Sequence, residues 1–283
     1  MKTLALDIGG TKFTLAAFEG DRLLRRVSRA TEREGGRAWL LETIAPVLRG
    51  WHREIGFDRC GIGFGGPVDW EKQMVAKSTH VSGWSDFDLP AYVRDLVGGI
   101  PVAMDNDANA GALGEFLFGA GQSCSPLFYM TLSTGIGGGI LIDGEIVRGA
   151  DSWAGEIGHI NVRPDGPPCL CGSNGCLERM CCGLWLERDH GVTAEDLMRR
   201  PEFVRGYVVD LARGLKACIM LLNPARIVIG GGIAKAGEAL FGPLREELAR
   251  QMPPWSRARV DVQSALLGDD SVLRGALGLA RRI

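Results

Sequence analysis

At 283 residues with 46% hydrophobic side chains, the chain can bury a large core and is long enough for two domains. A net charge of -2, with no concentrated run of Lys or Arg, argues against a nucleic-acid surface. No uninterrupted apolar stretch reaches the ~18 residues of a membrane-spanning helix, so no membrane partner is expected.

The chain enters an apolar run of buried-strand type at 3–8, directly after Met1-Lys2, with no secretory segment, and a cytoplasmic protein is expected. Gly9, Gly10, Thr11 and Lys12 interrupt that run, and a second strand follows over 13–18. The spacing of Trp39, Leu40, Ile44, Val47, Leu48 and Trp51 predicts a helix over 38–52, against which Pro46 counts. A strand over 60–64 runs into Gly65, Gly66 and Pro67. The next, over 100–104, delivers Asp105, Asn106 and Asp107 to the start of a helix over 108–118.

The pattern then recurs. A strand over 127–132, a glycine-rich loop over 133–139 and a strand over 140–142 repeat the opening hairpin, which suggests a duplicated domain plan. A long helix over 204–222 is closed by Asn223 and Pro224, a buried strand covers 226–229, and Gly230, Gly231 and Gly232 open the helix after it. The expected division is an amino-terminal α/β domain over 1–110 and a second over 111–269, with the boundary near 107–112.

Cys169, Cys171 and Cys176 lie within eight residues, and His159 lies ten residues upstream of the first, enough ligands for one tetrahedral Cys3His zinc site. Small buried core thiols are the alternative, and Cys60, Cys124, Cys181, Cys182 and Cys218 are read that way. For the three clustered thiols, Gly172 and Gly175 argue for a tight polar loop unsuited to core. Disulfides fit poorly without a secretory segment.

Three glycine-rich segments, 7–12, 133–139 and 230–232, follow buried-type strands, where backbone N–H groups can approach phosphate oxygens. Any one alone could be a tight turn. None matches the dinucleotide fingerprint, and no Gly-Lys dipeptide of a Walker loop occurs.

Taken in order, D-I-G-G-T-K at 7–12, D-N-D-A-N-A at 105–110 and L-S-T-G-I-G-G-G at 132–139 begin a series. G-E-I-G-H at 155–159, C-x-C-G-x-x-G-C-x-E at 169–178 and N-P-A-R-I-V-I-G-G-G at 223–232 complete it. The series resembles the ROK family of sugar kinases and sugar-responsive repressors. The resemblance implies an α/β actin-like ATPase (ribonuclease H-like) fold of two domains with a central cleft, a last helix near 270–283 that packs back on the first domain, and a homodimer. It also implies ATP-dependent phosphorylation of a hexose at its primary hydroxyl, with ATP, Mg2+ and a structural Zn2+.

By the same resemblance Asp107 is the catalytic base; from position alone it could equally cap the helix that follows. Gly65, Gly66, Asn106, Glu156, His159 and Glu178 are expected around the sugar, with His159 also on zinc beside Cys169, Cys171 and Cys176. Asp7 is expected near Mg2+, Gly9, Gly10, Thr11, Lys12, Thr134 and Gly135 near the phosphates, and Gly231 and Gly232 near the adenosine end.

Two features depart from the family pattern: the bulky residues at 179–182 after Glu178, and a short segment from Glu178 to Asn223. A repressor would carry a helix-turn-helix segment ahead of the first strand, for which 1–3 leaves no room. Intact Asp7 and Asp107 argue against a sugar-binding protein without catalysis. Glucose, N-acetylmannosamine and fructose all suit the expected site residues.

Overall fold

A computed structural model describes residues 1–76 and 81–283. The chain folds into two compact units. Unit 1 comprises Met1–Leu117, Arg148–Trp153 and Asp270–Ile283; unit 2 comprises Phe118–Val147 and Ala154–Asp269.

In unit 1, β1 (Lys2–Ile8), β2 (Lys12–Glu19) and β3 (Arg22–Ala30) form an antiparallel meander. Helix α1 (Gly36–Ile55) leads to β4 (Arg59–Phe64), which runs parallel to β1. A small ribbon of β5 (Val68–Asp69) and β6 (Met74–Val75) and the helix α2 (Leu89–Leu96) precede β7 (Val102–Asn106), parallel to β4, and α3 (Asp107–Phe118) follows at once. The five-stranded sheet has the order β3-β2-β1-β4-β7. Its edge strand β3 carries Arg22, Arg25, Arg26 and Arg29, charges that discourage pairing with another chain.

Pro46 does not end α1. A proline inside a helix costs about 3 kcal/mol. The α1 stripe of Leu40, Ile44, Leu48 and Trp51 is buried, and each such side chain contributes about 1.5–3 kcal/mol. Pro46 is exposed, as is Glu42, whose carbonyl it cannot bond.

Unit 2 repeats the plan: β8 (Leu127–Leu132), β9 (Ile136–Ile142) and β10 (Glu145–Ile146) form a meander. A single 3-10 turn at Ile157–His159 is followed by the short helices α4 (Leu177–Cys181), α5 (Gly183–His190) and α6 (Ala194–Met198) and the long α7 (Pro201–Leu222). Then come β11 (Arg226–Gly230), α8 (Glu238–Gln251) and β12 (Asp261–Ser264), and the sheet order is β10-β9-β8-β11-β12. The duplicated order matches the repeat expected from the two hairpins.

Several expected boundaries move. The long helix starts at Pro201, whose fixed φ suits the first helical turn. Gly230–Gly232 open a 3-10 turn at Ile233–Ala236 before α8 begins. The loop expected over 133–139 is shorter, because Gly137, Gly138 and Gly139 belong to β9. Gly138 is required there by packing: a Cβ would lie 2.5 Å from the Gly155 carbonyl oxygen and 2.7 Å from the Phe128 ring.

The final helix, α9 (Ser271–Ala280), belongs to unit 1 and packs on β4 and β1. The approach is backbone to backbone. A Cβ on Gly61 of β4 would sit 1.8 Å from the Ala276 oxygen, and one on Gly275 would sit 1.7 Å from the Ala110 oxygen of α3. Ser271 adds a buried hydrogen bond of 2.7 Å to the Glu115 carboxylate. Among the described residues, no helix is long and apolar enough to cross a membrane.

Because both helices are fixed by these backbone contacts, Gly275→Ala should destabilise unit 1 by about 3 kcal/mol through overpacking. Urea unfolding monitored by fluorescence checks it; an unchanged midpoint would show that α9 can shift at little cost.

Candidate active site and zinc centre

The register of unit 1 sets Ile8, Phe64 and Asn106 side by side across β1, β4 and β7. The carboxyl ends of these parallel strands therefore release Gly9, Gly65 and Asp107 at one edge, where α/β sheets bind ligands. Gly65 donates its N–H to the Ile8 carbonyl at 2.8 Å. A Cβ added to it would lie 3.2 Å from the Gly9 Cα and 3.5 Å from Asp107 Oδ2.

The helix after β7 begins one residue earlier than expected, at Asp107. Asn106 takes the capping role: its Oδ1 accepts from the N–H groups of Ala108 at 2.9 Å and Asn109 at 3.4 Å. Asp107 Oδ1 also accepts from Ala108, at 2.8 Å. Asn106 Nδ2 donates to the Gly66 carbonyl at 3.0 Å, tying the two expected sugar-side segments together.

Asp7, half-buried at the end of β1, has its carboxyl pushed up to about 7, chiefly by desolvation and next by the Asp107 carboxylate. A buried carboxylate of raised proton affinity is an oxygen donor that a hard divalent cation relieves, so Asp7 fits Mg2+.

Two contributors on the strand-to-helix segment after β3 escape the sequence reading. Thr31 Oγ1 donates to the Gly9 carbonyl at 2.8 Å. Arg33 donates from Nε to the Gly10 carbonyl and from Nη2 to Thr11 Oγ1, both at 2.9 Å. They brace the first glycine loop, which Gly9 closes by donating to the Lys12 carbonyl at 3.1 Å. Lys12 and Thr11 are exposed on that loop.

In unit 2, the segments carrying Thr134, Gly135, Glu178 and Gly231 converge. Glu178 accepts the Ile136 N–H on Oε2 at 2.9 Å, and a Cβ on Gly135 would meet that oxygen at 2.8 Å. Gly183 donates to the Ser133 carbonyl at 2.7 Å and Leu184 to that of Thr134 at 3.2 Å. Gly231, at φ +92°, lies so close to β8 that a Cβ would be 2.4 Å from the Leu132 oxygen, and Gly232 follows it. Glu156 precedes the 3-10 turn that carries His159; burial raises its carboxyl, His159 opposes the shift and Glu178 adds to it.

The ligand atoms of His159, Cys169, Cys171 and Cys176 lie within 4.8 Å of one another. Cys171 Sγ and Cys176 Sγ are 3.5 Å apart, close to the ~3.8 Å edge of a tetrahedron with 2.3 Å zinc–sulfur bonds. The donor set fits zinc. Although a tight polar loop is expected to be unsuited to core, Cys169 and Cys176 are buried, and Cys171 and His159 are exposed. Of the thiols read as core, Cys60, Cys181, Cys182 and Cys218 are buried, but Cys124 is only half-buried.

Two sheets of identical order, with glycine loops and carboxylates at strand ends, define an actin-like ATPase fold. The sequence matches the ROK family over residues 3–283, and the chain belongs to that family. It is 32% identical to a glucokinase of Thermotoga maritima, over 99% of this chain and 98% of the relative. It is 33% identical to an N-acetylmannosamine kinase of Vibrio cholerae, over 95% and 98%. The crystal structure of a ROK family glucokinase from Streptomyces griseus, in complex with glucose and AMPPNP, superposes with a TM-score of 0.87 at 30% identity, covering 100% of both chains.

Removal of zinc with a strong chelator should lower the melting temperature, and Cys176→Ser should reproduce that loss and abolish the chelator's effect. Metal analysis accompanies the melting curves; a metal-free preparation indifferent to chelator contradicts the site.

Asp7 gives a second test, with no nucleotide or Mg2+ added. The folded chain holds its proton up to about 7, while the unfolded chain releases it near 3.8. Its ionisation therefore costs nothing below the lower value, and the penalty grows until pH passes the upper one. Asp7→Asn should be more stable than the parent at pH 8 but not at pH 4; equal urea midpoints at pH 8 would show that Asp7 ionises freely.

Proposed function

We propose that the chain is an ATP-dependent hexose kinase that phosphorylates the primary hydroxyl of its sugar, with Asp107 as the base. The observation that carries this reading is the placement of Asp107 at the end of β7, beside Gly65 and electrostatically coupled to Asp7. The kinase activities of the Thermotoga, Streptomyces and Vibrio relatives support it.

ATP bound with Mg2+ supplies the phosphoryl group, and Asp7 is assigned to the cation, through its water shell. Asp107 accepts the sugar hydroxyl proton as the hydroxyl oxygen forms its bond to phosphorus and the bond to the ADP oxygen breaks. Gly9, Gly10, Thr11, Lys12, Thr134 and Gly135 are assigned to the phosphates, and Gly231 and Gly232 to the adenosine end. Gly65, Gly66, Asn106, Glu156, His159 and Glu178 are assigned to the sugar. Carboxylates suit this task because each oxygen can accept a sugar O–H bond. The zinc held by His159, Cys169, Cys171 and Cys176 is structural: it fixes the histidine ring and the loop between the two glutamates.

Glucose is the first expected substrate; the Vibrio relative makes N-acetylmannosamine the second reading. Family resemblance supports a cytoplasmic homodimer, which light scattering of the purified chain tests.

A coupled assay over hexoses and N-acetylhexosamines should show ATP consumption that depends on one of these sugars. With the accepted sugar, Asp107→Asn should lose about a hundredfold or more in kcat while still binding it. Turnover near that of the parent would remove Asp107 from the role of base.

A further inference from the structure

The chain leaves unit 2 after Val147, lays Arg148–Trp153 on unit 1, and returns at Ala154. Arg148 anchors this excursion. Its Nε and Nη2 donate to Asp105 Oδ2 at 2.9 and 2.8 Å, and its guanidinium lies 3.5 Å over the Trp70 ring. Trp70 N–H in turn donates to Ser152 Oγ at 3.1 Å.

The pair is secluded, with side-chain exposures of 18% for Arg148 and 2% for Asp105. Asp105 Oδ1 accepts from the Asn106 N–H at 2.8 Å and from Asn109 Nδ2 at 2.9 Å. One carboxylate therefore binds the arginine with one oxygen and the turn that bears Asp107 with the other.

We propose that Arg148 is a positioning residue for phosphoryl transfer, holding the Asp105 carboxylate so that the Asp105–Asn106–Asp107 turn aims the base. This rests on Asp107 being that base.

Asp107 follows β7 directly, and the cap at Asn106 holds the turn that carries it. That cap is held on one side by Gly66 and on the other by Asp105. A buried carboxylate deprived of its cation takes up a proton or moves toward water. Burial already pushes the Asp105 carboxyl upward, and Arg148 is the first influence opposing it, followed by the hydrogen bonds from Asn109 and Asn106. Loss of Arg148 thus perturbs the oxygen pair that orients Asn106. A displacement of about 1 Å at a reacting group can cost a hundredfold in rate.

The test compares the parent, Arg148→Met, Arg148→Lys and the double variant Arg148→Met/Asp105→Asn, in steady-state assays with the accepted sugar and in melting curves from pH 5 to 9. Arg148→Met should lose about a hundredfold in kcat with the KM for ATP within about threefold of the parent. Arg148→Lys keeps the charge without the fork and should lose about tenfold. In the double variant, Asn keeps an oxygen for Asn106 and Asn109 and carries no buried charge, and kcat should recover at least about tenfold over Arg148→Met.

Melting supplies a readout independent of turnover. The deficit of Arg148→Met should widen as pH rises, because an unpaired Asp105 must ionise while buried, and the double variant should show no such trend. Should Arg148→Met fail to fold, the lysine and double variants decide: parental kcat in Arg148→Lys overturns the proposal, as does a folded double variant about tenfold or more slower than Arg148→Lys.

A double variant no faster than Arg148→Met means that Arg148 does not act through Asp105, and parental kcat in Arg148→Met overturns the positioning role alone. A parent that phosphorylates no hexose overturns the kinase assignment, and this role with it.

Discussion

Parallel pairing of β4 with β1 and of β7 with β4 is the constraint from which the rest of unit 1 follows. In parallel strands held in register, three chain segments distant in sequence reach the same edge at the same residue. Shifting any one of them by a single residue would turn its side chains to the opposite face. Asp7, Gly65 and Asp107 meet because Leu4, Leu6, Ile62 and Met104 are fully buried, which resists such a slip. The site's accuracy is therefore bought in the core.

Unit 2 solves a related problem differently. Its strand order is the same, but the polar groups come from irregular segments, the 3-10 turn at His159 and the loop through Cys169 to Cys176. Irregular backbone of this kind has few regular hydrogen bonds to hold it. Glu178 bonded to the Ile136 N–H is one such tie, and a metal joining His159 to the three thiols would be another.

Much of this was legible in the sequence, for physical reasons. Buried strands read as apolar runs, and glycines marked the strand ends at Gly9, Gly65 and Gly231. The duplicated sheet followed from the likeness of the two hairpins. Exact ends were harder: Pro46 argued against a helix whose buried stripe outweighs it, and Gly137–Gly139 read as loop although β9 includes them. Gly172 and Gly175 marked the loop as unsuited to core, yet the turn folds Cys169 and Cys176 inward. Arg148 could not be found this way. Its partner Asp105 lies 43 residues earlier, and no local pattern announces such a pairing.

The placement of α9 has a consequence for synthesis. Unit 1 begins at the first residue, yet its core is closed by a helix made after the whole of unit 2. During translation β4 and α3 present Gly61, Ala110 and Gly114 with no backbone against them until Ser271–Ala280 has left the ribosome. Unit 2 has no such wait for its sheet, since β8 to β12 are all made by Ser264. At an elongation rate of about 5–20 residues per second, the first hundred residues would spend on the order of ten seconds or more incomplete. The second half of the chain, though later in sequence, is the one equipped to finish first.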